Sequence, residues 1–263
     1  MNGTAFGAIG ILNATAGGIG CSLAIQPKFH ATWRWGTGPE NLVDRKVSDA
    51  VAKTMQPGTA YSAVVTAPFP ASRGLKTSSA TAAALLRAAG HPEDGLCEAA
   101  VLVCRAAGVT ITGALDDQMA TIFGGVQVTD NRRDLPLASW SPRHHVAVWV
   151  PTAQISKADV AKIDNKSIRK AAESLGARLL RDQHALPQVL TQAGKLYYRL
   201  YAEAGLPVTD APVRLALDHG AEGAGISGTG PAVAALFSRR VDLPEVPGGT
   251  WHWTEVQPDV RSH

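Results

Sequence analysis

The sequence predicts an α+β protein in two parts, on three observations. Short β-rich runs and helical runs follow one another without the regular alternation of a doubly wound sheet, and glycine-rich loops punctuate the apolar runs. A polar, proline-containing stretch at 130–142 then breaks the periodicity near the middle of the chain, dividing it into residues 1–142 and 143–263. With 263 residues, 45% of them hydrophobic, two modest cores sharing an interface are within reach.

Residues 5–13 form an apolar run broken by glycine, 14–20 a loop of small residues, and 23–32 a second strand. Over 42–55, Val43, Val47, Ala50, Val51 and Met55 recur at helical spacing until Gln56-Pro57-Gly58 stops the run. Residues 61–67 are β-rich, and after a loop over 68–77 an alanine-rich helix opens at Ser78 or Ser79, where a small hydroxyl caps exposed amides. A helix over 93–107 follows, then one through Asp116 and Asp117, the pair Gly124-Gly125 and a strand over 126–129. Beyond 142 the pattern gives a strand at 145–150 and three helices near 165–181, 187–204 and 211–220. A glycine-rich loop over 224–230 and two short apolar stretches, 232–237 and 251–256, complete it. Trp33, Trp35, Trp251 and Trp253 alternate within strand-like runs, the pattern of side chains that pack a sheet face.

A net charge of +3 with no run of Lys or Arg gives no footprint for nucleic acid or a membrane surface, while a mild positive field suits a small anionic ligand. Three cysteines cannot all pair and show no metal-ligand spacing, which points to a reducing compartment; Cys97 and Cys104 read as apolar helix-face residues. With no basic segment leading an apolar signal core and no apolar run of roughly 20 residues, the expected location is the cytoplasm.

Three segments carry candidate chemistry. In 70–81, Ser72, Arg73, Gly74, Leu75, Lys76, Thr77, Ser78 and Ser79 put a glycine, successive hydroxyls and a cation at the opening of a helix. Those are the means of cradling a phosphate chain, although a capped helix after an ordinary turn would read the same way. It is not a P-loop, because the leading glycine of Gly-Lys-Ser/Thr is absent. In 112–125, Asp116 and Asp117 interrupt a small, apolar run; helical neighbours point about 100° apart, so one acid can take a hydroxyl proton while the other binds metal or caps the helix. In 223–231, Gly-x-Gly-x-x-Gly is present, but Pro231 leads into a β-like run where a dinucleotide fold needs a helix. A tight loop offering amides to an anion, or a plain turn, remains for that segment.

Taken together, the order and wording of these segments resemble the GHMP kinases, and most closely the archaeal-type shikimate kinases. Arg73-Gly74-Leu75-Lys76-Thr77-Ser78-Ser79-Ala80-Thr81 is similar to that family's Gly-Leu-x-Ser-Ser-Ser-Ala loop. Gly113 to Asp117 is similar to its Gly-Ala-x-Asp-Asp, 124–131 to its Gly-Gly-x-x-x-Thr-Asp-Asn, and Gly225 to Pro231 to its Gly-x-Ser-Gly-Thr-Gly-Pro. The resemblance implies a ribosomal-S5-like N-terminal domain over 1–142, a ferredoxin-like C-terminal domain over 143–263, and phosphoryl transfer from ATP to a small alcohol held between them. In the superfamily the base precedes the Gly-Gly pair by seven positions, which falls on Asp117, with Asp116 in reserve. Nucleotide would sit on Ser72 to Ser79, Mg²⁺ on Ser79, and the acceptor on Gly228, Thr229 and Gly230. Shikimate, phosphorylated at its 3-hydroxyl on the way to aromatic amino acids, is the implied acceptor, and its carboxylate asks for a cation, with Arg73, Arg132, Arg133 and Arg143 as candidates.

Two departures stand out. The lysine common in the first motif is missing from Ala14-Thr15-Ala16-Gly17-Gly18-Ile19-Gly20, where Lys76 is the substitute, and the upstream acidic metal ligand is missing around Arg105 to Ala107. They leave open a GHMP kinase for another small hydroxylated acid or alcohol, such as a cyclitol, homoserine or pantoate, and a nucleotide-binding sensor with little catalysis.

Overall fold

The computed structural model describes residues 1–36, 41–42 and 44–261. Its first sheet grows from an antiparallel pair, β1 (Asn2–Leu12) and β2 (Ile19–Trp35). The small-residue segment between them is mostly helical: Ala14–Gly17 form one turn, α1, entered through the Asn13 side chain, which accepts the Thr15 amide, and left through Gly18 at φ +79°. The strand β2 is the spine of the sheet, pairing also with β4 (Tyr61–Thr66) and β5 (Val126–Asp130). The edges are β3 (Asn41–Leu42), parallel to β4, and β6 (Leu135–Trp140). On β2, Trp33 and Trp35 pack on each other, and Trp33 stacks on Tyr61 at 4.4 Å between ring centres.

Four helices accompany this sheet: α2 (Arg45–Met55), α3 (Thr77–Ala89), α4 (Leu96–Ala106) and α5 (Leu115–Phe123). The helix expected from residue 42 begins at Arg45; Leu42 belongs to β3, and Val43 lies outside the described residues. Alanine dominates α3 because the helix lies against β1 at backbone contact: a Cβ on Gly3 would overlap the Ala84 carbonyl oxygen. The stretch 130–142, expected to be aperiodic, instead turns back through Asp134 at φ +51° and carries β6. Leu135 and Leu137 on that strand are exposed while Ala138 and Trp140 are partly buried against the core, so its most apolar residues do not mark the inward face for a hydropathy pattern to register.

A second, fully antiparallel sheet is formed by β7 (His145–Pro151), β8 (Gly223–Ile226), β9 (Val233–Phe237) and β10 (Gly249–Glu255), in the order β10-β7-β9-β8. The glycine-rich 224–230 is thus half strand and half loop. Its glycines are needed for contact with a helix: a Cβ on Gly225 would overlap the Leu190 carbonyl oxygen. The helices here are α6 (Lys157–Ala161), which the periodicity missed, α7 (Arg169–Arg181), α8 (Leu186–Glu203) and α9 (Ala211–Asp218). One core cluster contains Ile9, Ile11 and Leu23 from the first sheet, Val146, Val148 and Leu236 from the second, and Val189, Leu190 and Tyr197 from α8. The sheets are therefore held together through shared apolar burial and not through a linker.

After β10 the chain returns to the first sheet. The Gly125 amide donates to Gln257 O at 2.7 Å and the Val260 amide to Phe123 O at 2.8 Å, while the buried Asp259 carboxylate accepts from Ser139 Oγ, Gln127 Nε2 and Arg261. A Cβ on Gly124 would overlap the Pro258 carbonyl oxygen, which explains the glycine directly after α5.

Candidate active site

A cleft opens where α1, the N-termini of α3 and α5, and the start of α6 converge. Of the predicted nucleotide residues, Ser72, Gly74, Leu75, Lys76, Thr77, Ser78 and Ser79 all line it. Ser72, Gly74 and Lys76 adopt left-handed backbone, with φ of +59°, +82° and +55°. Such conformations are unusual for residues other than glycine and persist where the surroundings enforce them. The helix starts at Thr77, one or two residues earlier than expected, and neither Ser78 nor Ser79 caps it: the N-cap is Lys76 and no side chain accepts the first-turn amides. An uncapped N-terminus facing a cleft presents amides and a positive dipole end to an anion.

Arg73 stands apart. Its guanidinium donates to Pro151 O at 2.7 Å, Thr152 O at 2.8 Å and Ala71 O at 3.2 Å, so it fastens the loop to the end of β7 and does not reach the cleft wall. The third segment fastens the same loop from another side. Ser227 Oγ accepts the Gly10 amide at 2.9 Å and donates to Gly74 O at 2.8 Å, and the Ala232 amide donates to Arg73 O at 2.9 Å. Of Gly228, Thr229 and Gly230, it is Thr229 that lies on the cleft wall. Gly228 makes room for a cation, since a Cβ there would come within 2.9 Å of Lys76 Nζ.

That cation is the centre of the site. Lys76 Nζ lies 2.7 Å from Asp117 Oδ1, with both side chains almost wholly buried. Ser22, on β2, places its hydroxyl 2.7 Å from the same oxygen and 2.8 Å from Asp116 Oδ2, and Asn131 Nδ2 donates to Asp116 Oδ1 at 2.8 Å. One hydroxyl proton can serve only one acid at a time, so the two carboxyls are coupled through Ser22 as well as through charge. Burial first, and then the Asp117 charge, pushes Asp116 up to about 7 against Lys76, Asn131 and Ser22. For Asp117, burial pushes upward too, but Lys76, Lys157 and the hydrogen bonds outweigh it and hold the carboxyl below the usual range. Burial would drag Lys76 down, yet Asp117 and Asp116 raise it. At neutral pH the arrangement is an ionised Asp117 clamped to a charged lysine, beside an Asp116 that readily holds a proton.

This arrangement makes a stability prediction. Because the folded-state value of Asp116 lies above its unfolded value, the native chain holds a proton that the unfolded chain releases from about pH 4 upward. The associated stability is present below that point and is lost as the pH rises through 7. Asp116→Asn removes the dependence, so the variant should unfold several degrees above the unsubstituted chain at pH 8 and show little difference at pH 4, by thermal melts.

Sequence reasoning missed Ser22, Lys157 and the spacing glycines. A Cβ on Gly20 would overlap the Asp116 carboxylate, and one on Gly10 would come within 3.0 Å of Lys76 Nζ. The candidate arginines are placed elsewhere: Arg132 pairs with Glu173 at 3.6 Å, Arg133 with Asp130 at 3.8 Å, and Arg143 is exposed, none of them on the cleft wall.

For a divalent metal, no group of three His, Cys, Asp or Glu side chains comes together among the described residues. Asp117 is committed to Lys76, and Asp116 to Ser22 and Asn131. Mg²⁺ on a nucleotide needs only one or two protein oxygens, because the phosphates supply the others, and the Ser78 and Ser79 hydroxyl groups beside the uncapped α3 terminus fit that smaller demand. Among the described residues no helix is long and apolar enough to cross a membrane.

Residues 41–125 match the family model described as GHMP kinases N terminal domain, and residues 158–246 match that described as GHMP kinases C terminal. A shikimate kinase of Methanocella arvoryzae is 34% identical over 256 residues, covering 90% of this chain and 84% of its own. One from Halobacterium salinarum is 31% identical over 264 residues, covering 92% and 89%. Among solved structures, L. major mevalonate kinase in complex with R-mevalonate superposes with a TM-score of 0.72 at 16% identity, over 98% of this chain and 96% of that one. Homoserine kinase from Cytophaga hutchinsonii gives 0.69 at 15% identity, with the same coverage. The two structural likenesses show the fold, and the family models with the curated relatives show the lineage: the chain belongs to the GHMP kinase family and is an ATP-dependent kinase of small molecules.

Proposed function

We propose that the chain transfers the terminal phosphoryl group of ATP to the 3-hydroxyl of shikimate. The observation that carries the chemistry is the Lys76–Asp117 pair at 2.7 Å, set at the uncapped N-terminus of α3 in one cleft. The acceptor follows from the curated relatives, named shikimate kinase, at 34% and 31% identity over most of the chain.

Asp117 Oδ1 is shared by Lys76 and Ser22, while Oδ2 has no hydrogen-bond partner among the described residues. Oδ2 is the atom that orients the acceptor hydroxyl and takes its proton. As the acceptor oxygen bonds to the γ-phosphorus, the bond from phosphorus to the β,γ-bridging oxygen breaks, giving the phosphorylated acceptor and ADP. The depressed basicity of Asp117 suits a loose transition state, in which the proton leaves late and positioning outweighs base strength. Lys76 holds Asp117 ionised and brings positive charge to the place where the first motif supplies none. The loop from Ser72 to Ser79 seats the phosphates, and bound Mg²⁺ would supply charge neutralisation on the β- and γ-oxygens. Asn13 and Thr15 also line the cleft, and their amide and hydroxyl chemistry suits an acceptor carrying several hydroxyl groups.

The test is a coupled ADP-release assay with Mg-ATP and a panel of shikimate, quinate, homoserine, pantoate and cyclitols. Shikimate should exceed every other acceptor in kcat/KM by at least about 100-fold. Preference for a different acceptor would keep the kinase and replace its substrate.

A further inference from the structure

Two lysines line the cleft, and they differ in one respect. Lys76 is clamped to Asp117, whereas Lys157, the first residue of α6, makes no hydrogen bond or ion pair with any described residue. A half-buried ammonium without a partner is costly unless a ligand supplies the counter-charge. Burial lowers its basicity, and Lys76 adds to that effect, while Asp117 and the Cys104 side chain oppose it. Lys157 lines the same cleft as Ser78 and Ser79 in the first turn of α3 and as Asp117.

Although Lys157 comes from the connection after β7, its position relative to the phosphate loop is fixed. The Ile155 amide donates to Ser72 O at 3.2 Å, and Arg73 grips Pro151 O and Thr152 O at 2.7 and 2.8 Å. An anion seated on the free amides of α3 thus shares its cleft with Lys157.

We propose that Lys157 binds the terminal phosphate of the nucleotide, acting as the second half of a clamp whose first half is the N-terminus of α3. The proposal rests on the kinase reading of the cleft but not on the identity of the acceptor. It gives the cleft a cation for the transferring group where Lys76 is already engaged by Asp117 and the region around Arg105 offers no acidic metal ligand.

The experiment compares Lys157→Met and Lys157→Arg with the unsubstituted chain, using calorimetry with ADP and with a non-hydrolysable ATP analogue, each without acceptor, alongside steady-state kinetics. For Lys157→Met the analogue should bind about tenfold more weakly, ADP should change less than about threefold, and kcat should fall by roughly 100-fold with the acceptor KM little altered. Lys157→Arg should recover most of the analogue affinity, which a merely structural role would not produce. Equal losses for ADP and the analogue, or no loss for either, would overturn the assignment. So would a raised acceptor KM with unchanged nucleotide affinities, which would place Lys157 on the acceptor carboxylate. A missing activity with every acceptor, with the analogue-against-ADP difference intact, would count against the proposed substrate and leave Lys157 in place.

Discussion

Asp117→Asn is expected to lower kcat by about 10³-fold or more while leaving the protein folded and able to bind nucleotide. The amide keeps the shape of the carboxylate but loses the proton acceptor at Oδ2, the atom left free once Lys76 and Ser22 have taken Oδ1. Stability should change little for a reason internal to the site. Removing the Asp117 charge removes the repulsion that helps raise Asp116, so Asp116 ionises and becomes the counter-charge for Lys76. Nucleotide affinity should hold or improve, since one negative charge near the phosphates is gone. A variant turning over within about tenfold of the unsubstituted chain would move the proton acceptor to Asp116.

The second large effect is expected at Gly74. Its φ of +82° is strained for any side chain, and a Cβ there would overlap Ser227 O and lie 2.7 Å from the Gly230 amide nitrogen, both of them backbone atoms that cannot rotate away. Gly74→Val must therefore pull the phosphate loop off the 227–230 loop and open the hydrogen bond from Ser227 Oγ to Gly74 O. Calorimetry should show nucleotide affinity reduced by at least about 100-fold, with a lower melting temperature from the broken contact between the two halves. Ser227→Ala, which deletes the hydrogen bonds without forcing the loops apart, should cost about 1–3 kcal/mol of stability and much less affinity. Unchanged binding in Gly74→Val would mean that the loop around Gly74 does not seat the phosphates.

What the sequence made legible were features encoded by local chemistry. Glycine followed by a cation and three hydroxyls, and two acids at a helix start, can be read without tertiary knowledge because their spacing is set by one turn of chain. Gly124 and Gly125 could be read as punctuation but not as what they are, the space occupied by the returning residues 257–259. The features that were not legible depend on packing between distant segments. Arg73 looked like a phosphate ligand because its type and place in the motif fit, yet Pro151 and Thr152, far along the chain, offer carbonyl oxygens that capture it. Ser22 sits in an ordinary strand and gains its role only when β2 passes under the first turn of α5. β6 was hidden because its leucines face outward, and the α3 cap was misread because Lys76, in a left-handed conformation, begins the helix before either serine is reached.

The most direct measurement is phosphorus NMR of a reaction containing the protein, Mg-ATP and shikimate. One new phosphomonoester signal coupled to the proton at ring position 3, growing in step with ADP, is the expected result. ADP with inorganic phosphate alone, or a spectrum unchanged after many hours with a protein shown to bind nucleotide, would contradict phosphoryl transfer to shikimate by the Asp117 and Lys76 pair.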